Sequence, residues 1–367
     1  MPHFHISLVG GQPMPVYQGI IHCNPDKVLL VCSDRTYIDA QAIKEELKGI
    51  DITIREFDPV DIELINKQMA KLEELIPNDA CLSVNITGGT KPWSILFYNR
   101  FIQRATTTLL YIDQNNKLWN FSDGTDTMVN FDLDAQFRLN GNALVAFNTL
   151  ESYSNCDIQA IFHIKSLRKL NHADFNKIIS YLQRFSNENQ FTTKGGSFIE
   201  WLPNEKAFNC FIQNQSSFKE IKLKSKNIRN LLLNTGWFEL EVALLLSKWS
   251  KSKDIRLNCR FPARTKGDKN EIDIVVNMGN KILFVECKTQ IYDMTDIDKF
   301  ASAVKVYGGL GSKMLFITES EMKEKAIEKC NDHGIMFFSL QNNLNLEMTE
   351  KLLFSVLDNE LLTINAR

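Results

Sequence analysis

No stretch of the 367-residue chain approaches the roughly 18 consecutive apolar residues that a helix needs to span a bilayer. A membrane-embedded protein is not expected. Met1-Pro2-His3 is neither a basic flank nor the start of an apolar signal core, so export is not expected and a cytoplasmic location is. Paired cysteines are missing too: the eight, at positions 23, 32, 81, 156, 210, 259, 287 and 330, are scattered and include no Cys-x-x-Cys. That pattern favours reduced thiols over a disulfide scaffold or a zinc site. Charge of one sign is lacking, since 42 Lys and Arg face 44 Asp and Glu, a formal −2 that argues against a general nucleic-acid coat protein. Neither a Walker A loop nor Gly-x-Gly-x-x-Gly after the first apolar run occurs, so a dinucleotide cofactor is not expected. No internal repeat or low-complexity tract stands out. What remains is a soluble globular chain with 44% hydrophobic residues, long enough for two or three domains with a core in each.

The most informative positive feature is Asn270-Glu271-Ile272-Asp273-Ile274-Val275-Val276, a Gly279-Asn280 turn, and Ile282-Leu283-Phe284-Val285-Glu286-Cys287-Lys288. Two apolar runs flanking a tight turn read as a β-hairpin. Side chains alternate along a strand, so Glu286 and Lys288 share one face while Cys287 points to the other. An acid on one strand and Glu-x-Lys on its neighbour would collect two carboxylates and an ammonium beside buried strands. Charge held there needs compensation, which a divalent cation supplies. Upstream, the run Gly236 to Leu246 begins an amphipathic helix carrying Glu239 and Glu241, which lie about 200° apart around its axis, so only one can face the hairpin. Downstream, Asp296–Phe300 reads as helix, Lys313–Thr318 as strand, Ala326–Cys330 as helix and Gly334–Phe338 as strand.

This order resembles the PD-(D/E)xK nuclease core, a restriction-endonuclease-like fold. The resemblance implies Glu239 on the first helix, rather than Glu241, with Asp273, Glu286 and Lys288 as the catalytic set. Asp273, Glu286 and the Cys287 backbone carbonyl would ligate Mg²⁺ or Mn²⁺, hard cations suited to oxygen donors. Lys288 would orient or deprotonate the attacking water and offset phosphate charge, and the Cys287 thiol would be core. Residues 215–270 hold thirteen Lys and Arg against five Asp and Glu, including Arg264, Lys266 and Lys269 just before the acidic strand. Such a run before the site suits a groove that tracks a DNA or RNA backbone.

Residues 1–147 alternate short apolar runs with helical segments, which predicts a largely parallel, doubly wound sheet whose ligands bind beyond the carboxyl ends of the strands. Thr87-Gly88-Gly89-Thr90-Lys91-Pro92-Trp93 follows one strand (Ala80–Asn85) and opens a helix. Glycines permit close backbone approach there, and exposed N–H groups at a helix start favour an anion. Together with Gly10-Gly11-Gln12-Pro13 after the first strand and Ser33 after the second, this resembles a CARF (CRISPR-associated Rossmann fold) sensor domain. The whole chain then resembles the single-chain CARF nucleases that act as ancillary effectors of type III CRISPR systems. The resemblance implies a homodimer with a cyclic oligoadenylate, cyclic tetra-adenylate by symmetry, in a shared cleft. It also implies Gln12, Ser33, Thr87, Gly88, Gly89, Thr90 and Lys91 as ligand-site residues, with Trp119 and Asp123 as possible closing groups.

The expected fold is thus α/β: a Rossmann-like CARF domain (1–147), a small connecting α+β domain (148–225) and a PD-(D/E)xK domain (226–367). In the middle segment, 172–186 reads as amphipathic helix and Ser197–Leu202 with Ala207–Gln213 as a strand pair. Three other readings stay open at this point: a nucleotide-sensing regulator that binds nucleic acid without cutting it, a sensor that cleaves its own cyclic ligand, and a restriction-type nuclease with no small-molecule switch.

Overall fold

The N-terminal apolar runs, rich in Val, Ile and Leu, form the central strands of a seven-stranded sheet of order β3-β2-β1-β4-β5-β6-β7. In chain order its elements are β1 (His3–Leu8), α1 (Pro13–Cys23), β2 (Lys27–Cys32), α2 (Tyr37–Glu46), β3 (Asp51–Glu56), α3 (Ile62–Glu73), β4 (Cys81–Asn85), α4 (Lys91–Phe101), β5 (Thr107–Ile112), β6 (Lys117–Asn120), β7 (Asp126–Met128) and α5 (Leu133–Leu139). The first five strands pair in parallel, and β6 and β7 add an antiparallel edge. Alternation sets the faces. Phe4, Ile6 and Leu8 of β1 pack with Ile65, Met69 and Leu72 of α3 and Trp93, Phe97 and Phe101 of α4. His5 and Ser7 point the other way and stay buried; the His5 ring bridges the Ser83 hydroxyl at 2.7 Å and the Ser7 hydroxyl at 2.8 Å. Burial of that ring, helped by His3, pushes its pKa down to about 3, so it is a neutral hydrogen-bonding group.

This computed structural model describes residues 1–185, 187–262, 271–291, 293–309, 312–340 and 345–362. It divides into two compact units: Met1–Leu144 with Gly279–Ile282 and Lys305–Ser312, and Val145–Met278 with Leu283–Val304 and Lys313–Arg367. The second unit contains β8 (Ala146–Thr149), α6 (Asn155–Leu170), α7 (His172–Arg184), β9 (Gln190–Thr192), β10 (Phe198–Leu202), β11 (Ala207–Gln213), β12 (Phe218–Lys224), α8 (Ile228–Leu233), α9 (Gly236–Leu246), β13 (Asp254–Arg260), β14 (Glu271–Asn277), β15 (Ile282–Lys288), α10 (Thr295–Tyr307), β16 (Lys313–Thr318), α11 (Glu324–Asp332), β17 (Met336–Ser339) and α12 (Leu346–Leu362). A four-stranded sheet, β12-β11-β10-β9, precedes a six-stranded one, β17-β16-β15-β14-β13-β8. β14 and β15 are neighbours joined by only four residues, with Gly279 at φ 84, which requires an antiparallel hairpin. β15, β16 and β17 run parallel.

The expected boundary at 147/148 falls inside β8, and the one at 225/226 has no counterpart in this division. The physical reason is a shared core. Ile161, Ile164 and Leu167 of α6 and Phe208 of β11 pack in one apolar cluster with Trp237 and Leu240 of α9 and Val285 and Cys287 of β15. Residues 148–225 have their own sheet but not their own interior. None of the described helices is long and apolar enough to cross a membrane.

Candidate active site and ligand cleft

The carboxylate cluster begins with α9, which is apolar nearly all round; Trp237, Phe238 and Leu240 are buried. Glu239 and Glu241 leave this helix in different directions. Glu241 pairs with Lys165 of α6, whereas the Glu239 carboxylate accepts a 2.7 Å hydrogen bond from Asn258 Nδ2 on β13. The ladder between β13 and β14 pairs Leu257 with Ile274 and Cys259 with Ile272, which sets Asn258 opposite Asp273. Asp273 Oδ2 in turn accepts the Cys287 backbone N–H at 2.8 Å, tying β14 to β15 beside Glu286. On β15, Glu286 is 1% exposed and its Oε1 lies 2.7 Å from Lys288 Nζ. The Cys287 side chain lies in the apolar core, where burial drives its thiol far above the usual range. The structure therefore brings Glu239, Asp273, Glu286 and Lys288 to one place and turns the Cys287 thiol away.

The electrostatics of this cluster are unbalanced. Burial, and then the neighbouring Asp273 carboxylate, push the Glu239 carboxyl up to about 8. Burial alone would pull the Lys288 ammonium down, but the carboxylates of Glu286 and Asp273 outweigh it and hold it above the ordinary lysine range. With Glu239 protonated, the Asp273 and Glu286 carboxylates still outnumber the one ammonium, and a divalent cation would relieve that excess and favour ionisation of Glu239 as well. Among the described residues no group of three or more His, Cys, Asp or Glu side chains is placed so as to hold a metal ion by itself. The donor set fits a hard cation held by one or two carboxylates, a backbone carbonyl and waters, as magnesium commonly is.

Asn258 was not singled out from the sequence, and neither were its partners. Its backbone sits at φ 51, in the left-handed region that Asn tolerates better than most residues. There the pairing of β13 with β8 slips by one residue, between Leu257 and Arg260, so Asn258 belongs to a β-bulge. Its Oδ1 accepts from Asn148 Nδ2 at 3.0 Å and from the Tyr153 hydroxyl at 3.2 Å. The sequence carried no signal for it, because Asn258 alternates with Leu257 and Cys259 as Arg256 and Arg260 do, an ordinary polar position of a half-buried strand.

The basic run is less open than its composition suggests. Lys222 pairs with Glu205, Lys248 with Glu350, Lys251 with Asp358 and Arg256 with Asp254, while Lys219 donates to the Ser166 hydroxyl. Arg264, Lys266, Lys269 and Asn270 lie outside the described residues.

In the first unit, the strand order reverses between β1 and β4, the switch point where doubly wound sheets hold ligands. The two loops there touch: a Cβ on Gly10 would lie 2.9 Å from Gly89 N, and one on Gly88 would lie 2.2 Å from the Leu8 carbonyl oxygen. Gly89 sits at φ 75. Gln12 caps α1 without a side-chain hydrogen bond and is exposed, as are Gly89 and Lys91. The hydroxyls have structural partners. Thr87 Oγ1 donates to Asn85 Oδ1 and accepts the Ile112 N–H, and Thr90 Oγ1 donates to the Pro59 carbonyl while capping α4. Ser33 is buried and meets Thr36 Oγ1 at 3.3 Å. Trp119 is braced by Asp113 and lies under Lys117, and Asp123 closes a turn with Thr125.

A Rossmann-like unit with a loop-lined switch point, joined to a unit carrying a Glu/Asp/Glu/Lys cluster on a helix and hairpin, defines a sensor-linked nuclease fold. Residues 4–135 match the family model of the Card1 CARF domain, and residues 226–350 match that of the Card1-like endonuclease domain. The chain belongs to this family, with a CARF domain followed by a PD-(D/E)xK endonuclease domain. Among solved structures it is similar to Can2 from Sulfobacillus thermosulfidooxidans in complex with cyclic tetra-adenylate, at TM-score 0.70 and 17% identity, covering 97% of this chain and 98% of that one. Protein VC1899 from Vibrio cholerae aligns at TM-score 0.72 and 14% identity over 98% of both chains. A type III CRISPR defence DNA nuclease activated by cyclic oligoadenylate aligns at TM-score 0.56 and 14% identity, covering 94% of this chain and 49% of that one. No curated protein matches the chain.

Proposed function

We propose that the protein is a metal-dependent nuclease of type III CRISPR defence, switched on when its CARF domain binds a cyclic oligoadenylate. The observation that carries this reading is the convergence of Glu239, Asp273, Glu286 and Lys288 in the domain matched by the endonuclease family. Asp273, Glu286 and the Cys287 carbonyl would hold Mn²⁺ or Mg²⁺, which supplies charge neutralisation and a more acidic water. Lys288 is held as an ammonium by its two carboxylate neighbours, so of its two expected roles this favours orienting water and offsetting phosphate charge over deprotonation. Similarity to Can2, which was solved with cyclic tetra-adenylate, supports that ring as activator. A twofold ring suits a homodimer in which Gln12, Ser33, the 87–91 loop and their copies line one cleft. The exposed groups Gln12, Gly89 and Lys91 are the direct contacts in this reading; Ser33, Thr87, Gly88 and Thr90 shape the loops behind them. The cellular setting is cytoplasmic, and the substrate is DNA, RNA or both.

The test is to incubate the protein with Mn²⁺ and plasmid, single-stranded DNA or RNA, with and without cyclic tetra-adenylate. Cleavage that requires the ring is expected. Equal cleavage without it would indicate an unswitched nuclease, and nucleic-acid binding without cleavage in any condition would indicate a regulator.

A further inference from the structure

The Glu239 carboxylate is not held by α9 alone. Among the described residues, Asn258 Nδ2 donates to it at 2.7 Å. An asparagine amide can be turned either way, but here its oxygen is claimed by two donors, Asn148 Nδ2 at 3.0 Å and Tyr153 Oη at 3.2 Å. Asn148 can turn its own amide and the Tyr153 hydroxyl can accept as well as donate, so the group that a reversed amide would oppose is the ionised Glu239 carboxylate, which only accepts. The Asn258 NH₂ is therefore directed at Glu239 by that carboxylate, with Asn148 and Tyr153 completing the network. The backbone adds to this: φ 51 at the bulge re-aims Asn258 at a position facing Asp273 across the ladder. Backbone strain at an interior strand residue is retained where the surrounding structure over-determines it, and such positions cluster at functional sites.

We infer that Asn258 is a positioning residue of the active site, a donor braced by Tyr153 and Asn148 that holds Glu239 in the geometry the cation-binding cluster requires. The inference rests on reading Glu239, Asp273, Glu286 and Lys288 as the nuclease centre. Outer-sphere partners of this kind are worth about 10- to 100-fold in metal affinity or activity. Segment 146–153, which precedes the matched endonuclease region, thereby becomes part of the catalytic apparatus.

A double-mutant cycle tests it, with two readouts on the full chain: Mn²⁺-dependent cleavage with cyclic tetra-adenylate present, and Mn²⁺ binding by calorimetry without nucleic acid. Asn258→Gly leaves the left-handed backbone unstrained and removes the side chain with its amide. It is expected to lower kcat by about tenfold or more with KM for nucleic acid unchanged, and to weaken Mn²⁺ binding. In a Glu239→Gln background the same change is expected to do nothing further, because both act through one carboxylate. Asn258→Asp keeps the size and the acceptor for Tyr153 but not the donor, and should be as impaired as Asn258→Gly. Tyr153→Phe should show a smaller loss in the same direction. Normal cleavage and Mn²⁺ affinity in Asn258→Gly would overturn the inference, as would an equal loss with and without Glu239. Should the wild type bind Mn²⁺ yet cut nothing, the nuclease reading fails while the cycle in Mn²⁺ affinity still decides the role of Asn258. Absence of Mn²⁺ binding by the wild type overturns both.

Discussion

Glu239 and Lys288 show how neighbours, rather than residue type, set the chemistry of the site. The Glu239 carboxyl is pushed from an ordinary value of 4.5 up to about 8 by burial and by Asp273. Between those values the folded, metal-free protein keeps a proton that the unfolded chain has released, so its stability falls as pH rises through this window. Glu239→Gln has no such proton to lose. In urea titrations with chelator, its stability relative to wild type is expected to improve from about pH 5 to about pH 9; parallel curves would contradict the raised carboxyl. Asp273→Ala removes the acceptor for the Cys287 N–H and one carboxylate of the cluster, and Lys288→Ala leaves Glu286 buried without its ammonium. Each is expected to abolish cleavage while oligoadenylate binding, measured by calorimetry, stays intact. Loss of ligand binding in both would refute the division of labour between the domains.

Among the elements, the loop from β4 into α4 combines two kinds of residue. Gly88 has no room for a side chain, since a Cβ would meet the Leu8 carbonyl at 2.2 Å. Gly88→Ala is therefore expected to cost about 1–3 kcal/mol through backbone displacement, read as a lower urea midpoint. Lys91 is exposed at the first turn of α4, where the helix dipole and its own charge both favour an anion. Lys91→Ala should raise the activator concentration needed for half-maximal cleavage and leave the maximal rate alone; an unchanged half-point would remove Lys91 from the ligand site. A second element is α6. Lys165 pairs with Glu241, Arg168 pairs with Glu319, and the Arg168 guanidinium stacks 5.2 Å from the centre of the Trp237 ring. Helix α6 is thus anchored to α9, the helix that carries Glu239. This also explains why Glu241, adjacent in sequence, is not the acid that meets Asn258: its partner lies on α6.

For the whole molecule, each unit buries its own core, and the second unit's extends unbroken from α6 to α12. A cyclic ligand with twofold symmetry recognised by one switch-point loop set requires a second copy of that set. Analytical ultracentrifugation is expected to show a dimer with and without cyclic tetra-adenylate. A monomer in both states would remove the symmetry argument for that ring.

Much of this was legible in the residues because it is local. Period-two alternation put Glu286 and Lys288 on one face and Cys287 on the other, and Gly279 marked the hairpin. The strands of the first unit and the Gly-Gly loop were marked by apolar runs and turn chemistry in the same way. Other features were decided only in three dimensions. The role of Asn258 depends on a slip between β13 and β8, strands more than a hundred residues apart. The hydroxyls of Thr87 and Thr90 look available in a Thr-Gly-Gly-Thr-Lys string, yet they are engaged by Asn85, Ile112 and Pro59. Two cations of the basic run, Lys248 and Lys251, are matched by acids on the distant helix α12. Side-chain type and spacing determine which groups can share a face, whereas packing between distant segments determines which of them meet, and so which charges remain for chemistry.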